Sequence, residues 1–220
     1  NGCKKIVFSS SAAIFGNPVY IPIDEDHPKE PTNPYGKSKL MIENILKDFH
    51  YAYGLKYISL RYFNAAGHDS EGELTERHDP ETHLLPIVMQ VAKGERELVS
   101  IFGTDYKTKD GTCVRDYVHV SDLADIHIKS LSHINAKSKS IVLNCGYGKG
   151  YSVLDIVNIF KKMNKKLIIQ FAKRRPGDIA QVYADIKKLK KILKWKPKYN
   201  DLKKILKSAF KWEKILLNKI

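Results

Sequence analysis

Apolar residues in the first third of the chain form two short strand-like runs separated by one helical repeat. The runs are 4–10, KKIVFSS, which ends in small polar residues, and 56–64, KYISLRYFN. A loop rich in Pro, Asp and Asn at 17–34 leads into a helix predicted for 35–53, where apolar residues recur at helical spacing. This order of strand, loop, helix and strand predicts a parallel sheet with crossover helices.

A long polar segment, 65–82, follows the second strand, and segments of this length usually serve a function or are disordered. The elements predicted after it are a helix at 84–93, strands near 98–102 and 115–119, a helix capped by Ser121, a strand at 141–145, a helix at 152–162 opened by Ser152, a strand at 167–171, and helices near 185–193 and 201–217.

The sequence thus predicts an α/β protein with two parts. Residues 1–65 carry the Rossmann-like elements of the parallel sheet, and 66–220 form mainly a smaller mixed α/β lobe. A segment at about 115–145 returns from the lobe to the sheet domain. The usual G-x-G-x-x-G fingerprint is missing, and the glycines of NCGYGKGYS (144–152) fit neither that spacing nor a P-loop. We therefore interpret 144–152 as a structural turn.

Composition indicates a soluble globular protein of 220 residues, with 43% hydrophobic and 28% charged residues. No run approaches the roughly 18 apolar residues of a membrane span, and the first residues do not resemble a signal peptide. The three cysteines, Cys3, Cys113 and Cys145, are far apart and lack C-x-x-C spacing. The sequence therefore predicts a cytoplasmic protein with no disulfide framework, no metal site and no membrane partner.

The formal net charge of +14 is concentrated at the C-terminal end of the chain. From residue 187 onward, 13 lysines and two acidic residues give a net +11. These lysines alternate with apolar residues at helical spacing, which is typical of a docked amphipathic helix with a solvated basic face. No zinc-finger or RNA-binding signature accompanies them, so we expect no nucleic-acid partner.

Tyr35 and Lys39 stand four residues apart at the start of the predicted helix, which places them on one face about a turn apart. A free tyrosine, with a pKa near 10, is a poor base at neutral pH, and a nearby ammonium lowers that pKa. Such a pair can accept a proton from a sugar or alcohol hydroxyl. Ser11, at the end of the first strand, could share the same proton by hydrogen bonding.

Five segments make this arrangement recognisable. They are FSSSAAIFG (8–16), NPYGKSK (33–39), LRYFNAAG (60–67), IFGTDYKTKDGTCVRDYVHVSDLAD (101–125) and RRPGD (174–178). Together they resemble the UDP-glucose 4-epimerases of the extended short-chain dehydrogenase/reductase family. The resemblance runs from residue 2 to about 212, and its most specific part is 101–125.

The resemblance implies tightly bound NAD and a reaction without net redox change. Tyr35 would be the base that removes the proton of the sugar 4-hydroxyl, Lys39 would hold the nicotinamide ribose and tune the tyrosine, and Ser11 would assist. Phe63 matches a residue beside the nicotinamide. Hydride would pass from carbon 4 to the nicotinamide, and the 4-keto sugar would turn over before hydride returns to its other face.

The resemblance also implies a set of contacts to a UDP-sugar substrate. Asn64 matches a residue that binds the phosphates, and His83, followed by Leu84, stands where some members have a substrate-binding asparagine. Ser100, Ile101 and Phe102 match the strand around uracil. Arg115, Arg175 and Asp178 match the clamp on diphosphate and ribose, for which the planar fork of arginine is suited. Val182 matches a variable position, where a small side chain is expected to leave room for N-acetylated UDP-hexoses.

Other functions remain as alternatives. A sister 4,6-dehydratase or UDP-glucuronate decarboxylase needs acidic residues just after the position of Ser11, where this chain has Ala12 and Ala13. A non-catalytic sugar-nucleotide sensor is the second alternative, although such proteins commonly lose the tyrosine or the lysine. The resemblance also implies a homodimer, with the helix at 35–53 as one of the elements that pair.

The resemblance further implies that the first βαβ units of the family, roughly 100 residues, precede Asn1. We therefore expect the 220 residues alone to be an inactive fragment that binds NAD poorly.

Overall fold

The computed structural model describes residues 2–69, 71, 73–74, 78–137, 139–163 and 167–217. Its strands are β1 (Lys5–Ser11), β2 (Lys56–Tyr62), β3 (Asn64–Ala66), β4 (Val99–Phe102), β5 (Val114–Arg115), β6 (Tyr117–His119), β7 (Ile141–Cys145), β8 (Tyr151–Ser152), β9 (Ile169–Ala172) and β10 (Gln181–Val182). Its helices are α1 (Pro34–Tyr53), α2 (Leu84–Lys93), α3 (Val120–Lys137), α4 (Val153–Met163), α5 (Lys187–Leu193) and α6 (Leu202–Leu217). One turn of 3-10 helix, Ala12–Phe15, follows β1.

The main sheet is parallel, with strand order β1–β2–β7. Its central strand, β2, is buried along its length, with Ile58 and Leu60 fully enclosed. Such burial is expected where helices cover both faces of a parallel sheet. The side chain of Arg61 forms a hydrogen bond with Glu43 on α1, whereas that of the next residue, Tyr62, forms one with His127 on α3. Because neighbouring strand residues face opposite sides, α1 and α3 cover opposite faces, and the predicted α/β Rossmann-like sheet is confirmed.

Helix α1 begins and ends at strong local signals. The side chain of Asn33 caps its first turn by accepting the N–H of Gly36 at 2.8 Å, and Pro34 takes the first helical position. Gly54 ends the helix in the left-handed conformation, with φ of 69°. These local signals place Tyr35 in the first turn, beside the end of β1.

A buried ion pair joins α1 to the centre of the sheet. Arg61 donates Nε–H and Nη2–H to the two carboxylate oxygens of Glu43, at 3.0 and 2.7 Å, and the two side chains are only 3% and 7% exposed. The hydroxyl of Ser10 donates to the same carboxylate at 2.6 Å, and Arg61 Nη1–H donates to the carbonyl of Glu25 at 3.0 Å. One cluster therefore connects β1, β2, α1 and the loop before α1.

The smaller lobe has its own buried apolar cluster, to which α2, α4, β4 and β9 contribute together with Ala209 and Phe210 in the middle of α6. Helix α6 buries Leu202, Ile205 and Leu206 against the main core, and its lysines at 203, 204 and 207 are exposed. The prediction of a docked amphipathic helix with a basic outer face is confirmed. The division of the chain into domains at residue 65 stays a prediction.

Two predicted strands are each divided in the structure. The run 56–64 separates at Phe63 into β2, in the main sheet, and β3, which pairs with β6. The run 115–119 separates at Asp116 into β5, which lies between β8 and β10, and β6. Both predictions of a single strand were wrong, because pairing with distant strands decides where such a run is divided.

Helix caps gave one correct and one wrong prediction. Ser152 caps α4: its hydroxyl accepts the N–H of Asp155 at 2.9 Å, and Asp155 accepts the N–H of Ser152 at 3.0 Å. Ser121 is not a cap, because α3 already begins at Val120. The ring of His119 takes that role, with Nδ1 accepting the N–H of Ser121 at 3.1 Å.

The glycine-containing segment after β7 is a turn organised by a buried carboxylate. Asp116 accepts the N–H groups of Tyr147 and Gly148 at 2.8 and 2.9 Å, and that of Ala184 at 3.2 Å. A Cβ on Gly146 would lie 2.4 Å from an Asp116 oxygen, so the carboxylate needs glycine there. Burial raises the pKa of Asp116 to about 6, and the bonds from the amides oppose that rise. The interpretation of 144–152 as a structural turn is confirmed.

The three cysteines are free, with Cys3 exposed and the other two buried. Within the described ranges, no helix combines the length and the apolar character needed to cross a bilayer.

We predict that Glu43→Gln lowers the free energy of unfolding by about 3 kcal/mol, because Arg61 then stays buried without a counter-charge. Urea denaturation measures this change. Lys187→Ala, which removes a surface ion pair whose lysine side chain is 91% exposed, is the control and should cost no more than about 0.5 kcal/mol. Equal losses in the two variants would contradict the assignment of the buried pair as a structural link.

Candidate active site

A cavity of about 1150 Å³ opens at the carboxyl ends of β1 and β2. Ligands of open α/β sheets bind at this edge. Eleven of the fourteen residues predicted to form the site line the cavity: Ser11, Tyr35, Phe63, Asn64, His83, Leu84, Ser100, Phe102, Arg115, Arg175 and Asp178. The candidate catalytic and substrate-binding residues thus line one cavity in the structure. In the sequence they are up to 167 positions apart, from Ser11 to Asp178.

Tyr35 and Lys39 lie on the same face of α1, as the spacing predicts. Tyr35 is 56% exposed at the cavity wall, and the ammonium of Lys39 lies 5.5 Å from the centre of its ring. Lys39 Nζ donates to the carbonyl of Ser9 at 2.9 Å, which ties the ammonium to β1. The Ser11 hydroxyl accepts the N–H of Ala13 at 3.1 Å and thereby caps the 3-10 turn.

Gly36 sets how closely α1 approaches the end of β1. A Cβ at this position would lie 2.4 Å from the carbonyl oxygen of Ala13 and 3.0 Å from Cβ of Pro31. The contact at Ala13 is with backbone, which cannot rotate away as a side chain could. Glycine at residue 36 therefore allows Tyr35 and Ser11 to share one wall.

A second tyrosine beside the site has a different environment. The hydroxyl of Tyr62 donates to Ser9 Oγ at 2.7 Å and lies 2.5 Å from Nε2 of His127. Burial raises the pKa of Tyr62 to about 12. Tyr62 thus keeps its proton near neutral pH.

Arginines make the far side of the cavity suitable for anions. Arg175 pairs with Asp178 through two bonds of 3.0 and 3.2 Å and lies with its guanidinium carbon 4.7 Å from the ring centre of Phe102. Arg115 also lines the cavity and donates one N–H to the carbonyl of Val114 at 2.9 Å. Two guanidinium groups with further N–H donors on one cavity favour phosphate oxygens.

Three predicted residues do not line the cavity. Lys39 lies behind Tyr35, bonded to β1. The side chain of Ile101 is fully buried in the core of the lobe, so only its backbone could face a ligand. Val182 is half-buried and lies opposite Arg115 in the β5–β10 pair. It packs against a small buried cluster that Phe63 also contacts, formed by Ala12, Ile14, Phe15 and Ile23.

Sequence reasoning missed several residues of the cavity wall. Among them are His78 and Glu81, which form a compact group with His83 just before α2. The prediction of no metal site considered only the spacing of the cysteines, which says nothing about histidine and glutamate side chains. The spacing H-x-x-E-x-H at 78–83 was the available signal, but it lies in a predicted loop, where no periodicity indicates which side chains meet.

Comparison with known proteins shows the family to which this chain belongs. The profile of the family described as GDP-mannose 4,6 dehydratase matches residues 1–208, and the chain belongs to this family of extended short-chain dehydrogenase/reductase type. The UDP-glucose 4-epimerase of Halalkalibacterium halodurans is 49% identical over 212 residues, which are 96% of this chain and 64% of that protein. The chain thus spans 64% of the length of this curated relative.

Two solved structures extend the comparison. The UDP-glucose 4-epimerase of Bifidobacterium longum in complex with NAD⁺ and UDP has a TM-score of 0.90 at 42% identity, covering 99% of this chain and 65% of that one. The UDP-Glc/GlcNAc 4-epimerase of Campylobacter jejuni has a TM-score of 0.80 at 41% identity, covering 97% and 65%. The predicted resemblance to UDP-glucose 4-epimerases is confirmed.

We predict that Gly36→Ala destabilises the protein by about 1–3 kcal/mol through overpacking. The sign of this change in stability is informative, because replacing glycine by alanine inside an unobstructed helix stabilises a protein by roughly 0.5–1 kcal/mol. Thermal and urea denaturation measure the effect, with Lys37→Ala, at the next, exposed position, as the control. A stabilised Gly36→Ala variant would show that the contact with Ala13 does not limit the approach of α1.

Proposed function

We propose that the protein containing these residues is an NAD-dependent UDP-hexose 4-epimerase, which interconverts UDP-glucose and UDP-galactose in the cytoplasm through a transient 4-keto sugar. The observation that carries the proposal is the arrangement in one cavity: the Tyr35–Lys39 pair and Ser11 on one side, and two arginines on the other. The names of the relatives support the same reaction.

The residues present fit the nicotinamide end of NAD. Tyr35, Ser11 and Phe63 line the cavity at the carboxyl ends of the strands, and Lys39 lies one turn behind Tyr35. We assign these four residues to the cofactor. NAD, when bound, supplies a reversible hydride acceptor for carbon 4 of the sugar. The glycine-rich loop that such cofactors also use is not part of this sequence.

Proton transfer is the task of Tyr35 in this proposal. The exposed side chain of Tyr35 acts as a phenolate, which takes the proton of the 4-hydroxyl as carbon 4 is oxidised. The phenol so formed gives the proton back when the keto group is reduced. The Lys39 ammonium, 5.5 Å from the ring centre, stabilises the negative charge of the phenolate oxygen. Ser11 hydrogen-bonds the same sugar oxygen and keeps it near Tyr35.

Substrate binding depends on the opposite side of the cavity. Arg115 and Arg175 bind the diphosphate by charge-assisted bonds, and Asp178 orients Arg175 through its paired bonds of 3.0 and 3.2 Å. Phe102 offers an apolar face for the uracil ring. Asn64, the first residue of β3, also lines the cavity and donates to a phosphate oxygen.

The description of the matching family as a dehydratase raises the main alternative. Removing water from the sugar needs additional acid and base groups beside the tyrosine. The two residues after Ser11 are Ala12 and Ala13, in the 3-10 turn, and neither can move a proton. A sister dehydratase or decarboxylase is therefore less well supported than an epimerase.

The proposal includes a homodimer that pairs through α1. Met41, Ile45, Phe49 and Tyr53 recur every four residues on this helix and are between 49% and 76% exposed. An apolar stripe of this kind on an otherwise polar helix is typical of a surface covered by a partner.

We predict that Tyr35→Phe reduces interconversion of UDP-galactose and UDP-glucose at least about 10²–10⁴-fold, because the proton acceptor is lost. The measurement is chromatography of the two sugars with the natural polypeptide that contains residues 1–220. UDP binding, followed by calorimetry, should be unchanged in the variant, since the arginines are intact. Conversion at the unaltered rate in the variant, or no conversion by a folded parent protein supplied with NAD, would refute the proposal.

We predict that Val182→Tyr removes activity on UDP-N-acetylglucosamine and UDP-N-acetylgalactosamine and keeps activity on the unsubstituted pair. Val182 packs against buried residues that Phe63, a residue of the cavity wall, also contacts. In this proposal a larger side chain at position 182 extends into the cavity and takes the space of the N-acetyl group. The control is Val182→Ile, which adds less volume. If Val182→Tyr lost neither N-acetylated substrate, residue 182 would not determine this specificity.

A further inference from the structure

The cavity wall carries a group of metal-ligating side chains that the proposed reaction does not use as a group. His78, Glu81 and His83 each offer one ligand atom, and these atoms all lie within 4.8 Å of one another. The three residues line the same cavity as Tyr35 and Arg175. In the predicted site, His83 has a role only as a single substrate contact.

The carboxylate lies between the two imidazoles. Nδ1 of His83 is 2.8 Å from one oxygen of Glu81, and Nδ1 of His78 is 3.7 Å from the other. The two imidazole rings are tilted by 51° to each other, with centres 4.9 Å apart. A zinc ion bound at about 2.0–2.2 Å from each donor needs donor pairs roughly 3–4 Å apart, so small side-chain rotations suffice.

Backbone bonds hold the carboxylate in place before any ion binds. Glu81 Oε1 accepts the N–H groups of Thr82 and His83 at 2.8 and 2.7 Å, and the Glu81 side chain is only 6% exposed. Burial opposes ionisation of Glu81, but the bonds from His83 and Thr82 hold its pKa below the usual range. The carboxylate is thus held in place, while the imidazoles, 42% and 60% exposed, remain accessible.

We propose that His78, Glu81 and His83 bind one zinc ion at the cavity wall. Two imidazoles and one carboxylate select late first-row divalent ions over Mg²⁺ and Ca²⁺, which prefer oxygen ligands. Three protein ligands leave at least one coordination position open. Because the group lines the cavity, water or an anionic oxygen of a bound ligand completes the coordination.

The test is calorimetric titration of the untagged chain with zinc chloride, together with the visible absorption of the Co²⁺ form. A Cys3→Ser background is needed, because Cys3 is an exposed free thiol that also binds zinc. We expect one ion per chain. His78→Ala and Glu81→Gln should each weaken binding at least about tenfold, and the control His133→Ala, a histidine on α3 outside the group, should not.

Circular dichroism shows whether Glu81→Gln disturbs the loop; if it does, His78→Ala and His83→Ala, which leave the carboxylate in place, decide the matter. Absence of saturable binding, or equal affinity in the parent and in both histidine variants, would overturn the proposal. Neither result bears on the epimerase activity, which Tyr35→Phe tests separately.

Discussion

The buried ion pair between Glu43 and Arg61 is the contact on which the geometry of the cavity depends. Glu43 lies on the helix that carries Tyr35 and Lys39, and Arg61 lies two residues before Phe63 on the central strand. The carboxylate also binds Ser10, the neighbour of Ser11, at 2.6 Å. Leaving either charge unpaired in this environment is costly, so the helix and the two strand ends keep one relative position.

Around this link, the two sides of the cavity use different physical interactions. The side formed by β1, β2 and α1 places a phenol, an ammonium and a hydroxyl near one another, which suits proton transfer. The side formed by the lobe presents guanidinium groups and the ring of Phe102, which suit phosphate and a base. The large positive charge of the chain is not the source of this chemistry, because most of it lies on the exposed faces of the C-terminal segment.

Local signals in the sequence predicted several elements closely. Helix α2 and strand β7 have the predicted bounds, and α1 starts one residue earlier than predicted. Each is delimited by its own residues, such as Asn33, Pro34 and Gly54 for α1. The divisions at Phe63 and Asp116 were not predictable, because they depend on pairing between strands more than 50 residues apart. The same applies to the cap of α3, which comes from a buried histidine rather than from Ser121.

The sequence by itself determined that Tyr35 and Lys39 share a helix face and that arginines accompany them, since helical periodicity and short motifs are local properties. Only the tertiary structure decided which residues meet. It turned Ile101 into the core, placed Gly36 against the backbone of Ala13, and gathered His78, Glu81 and His83 into one group. These outcomes depend on the packing of segments that are distant in the chain or irregular, and no periodicity in the sequence encodes such packing.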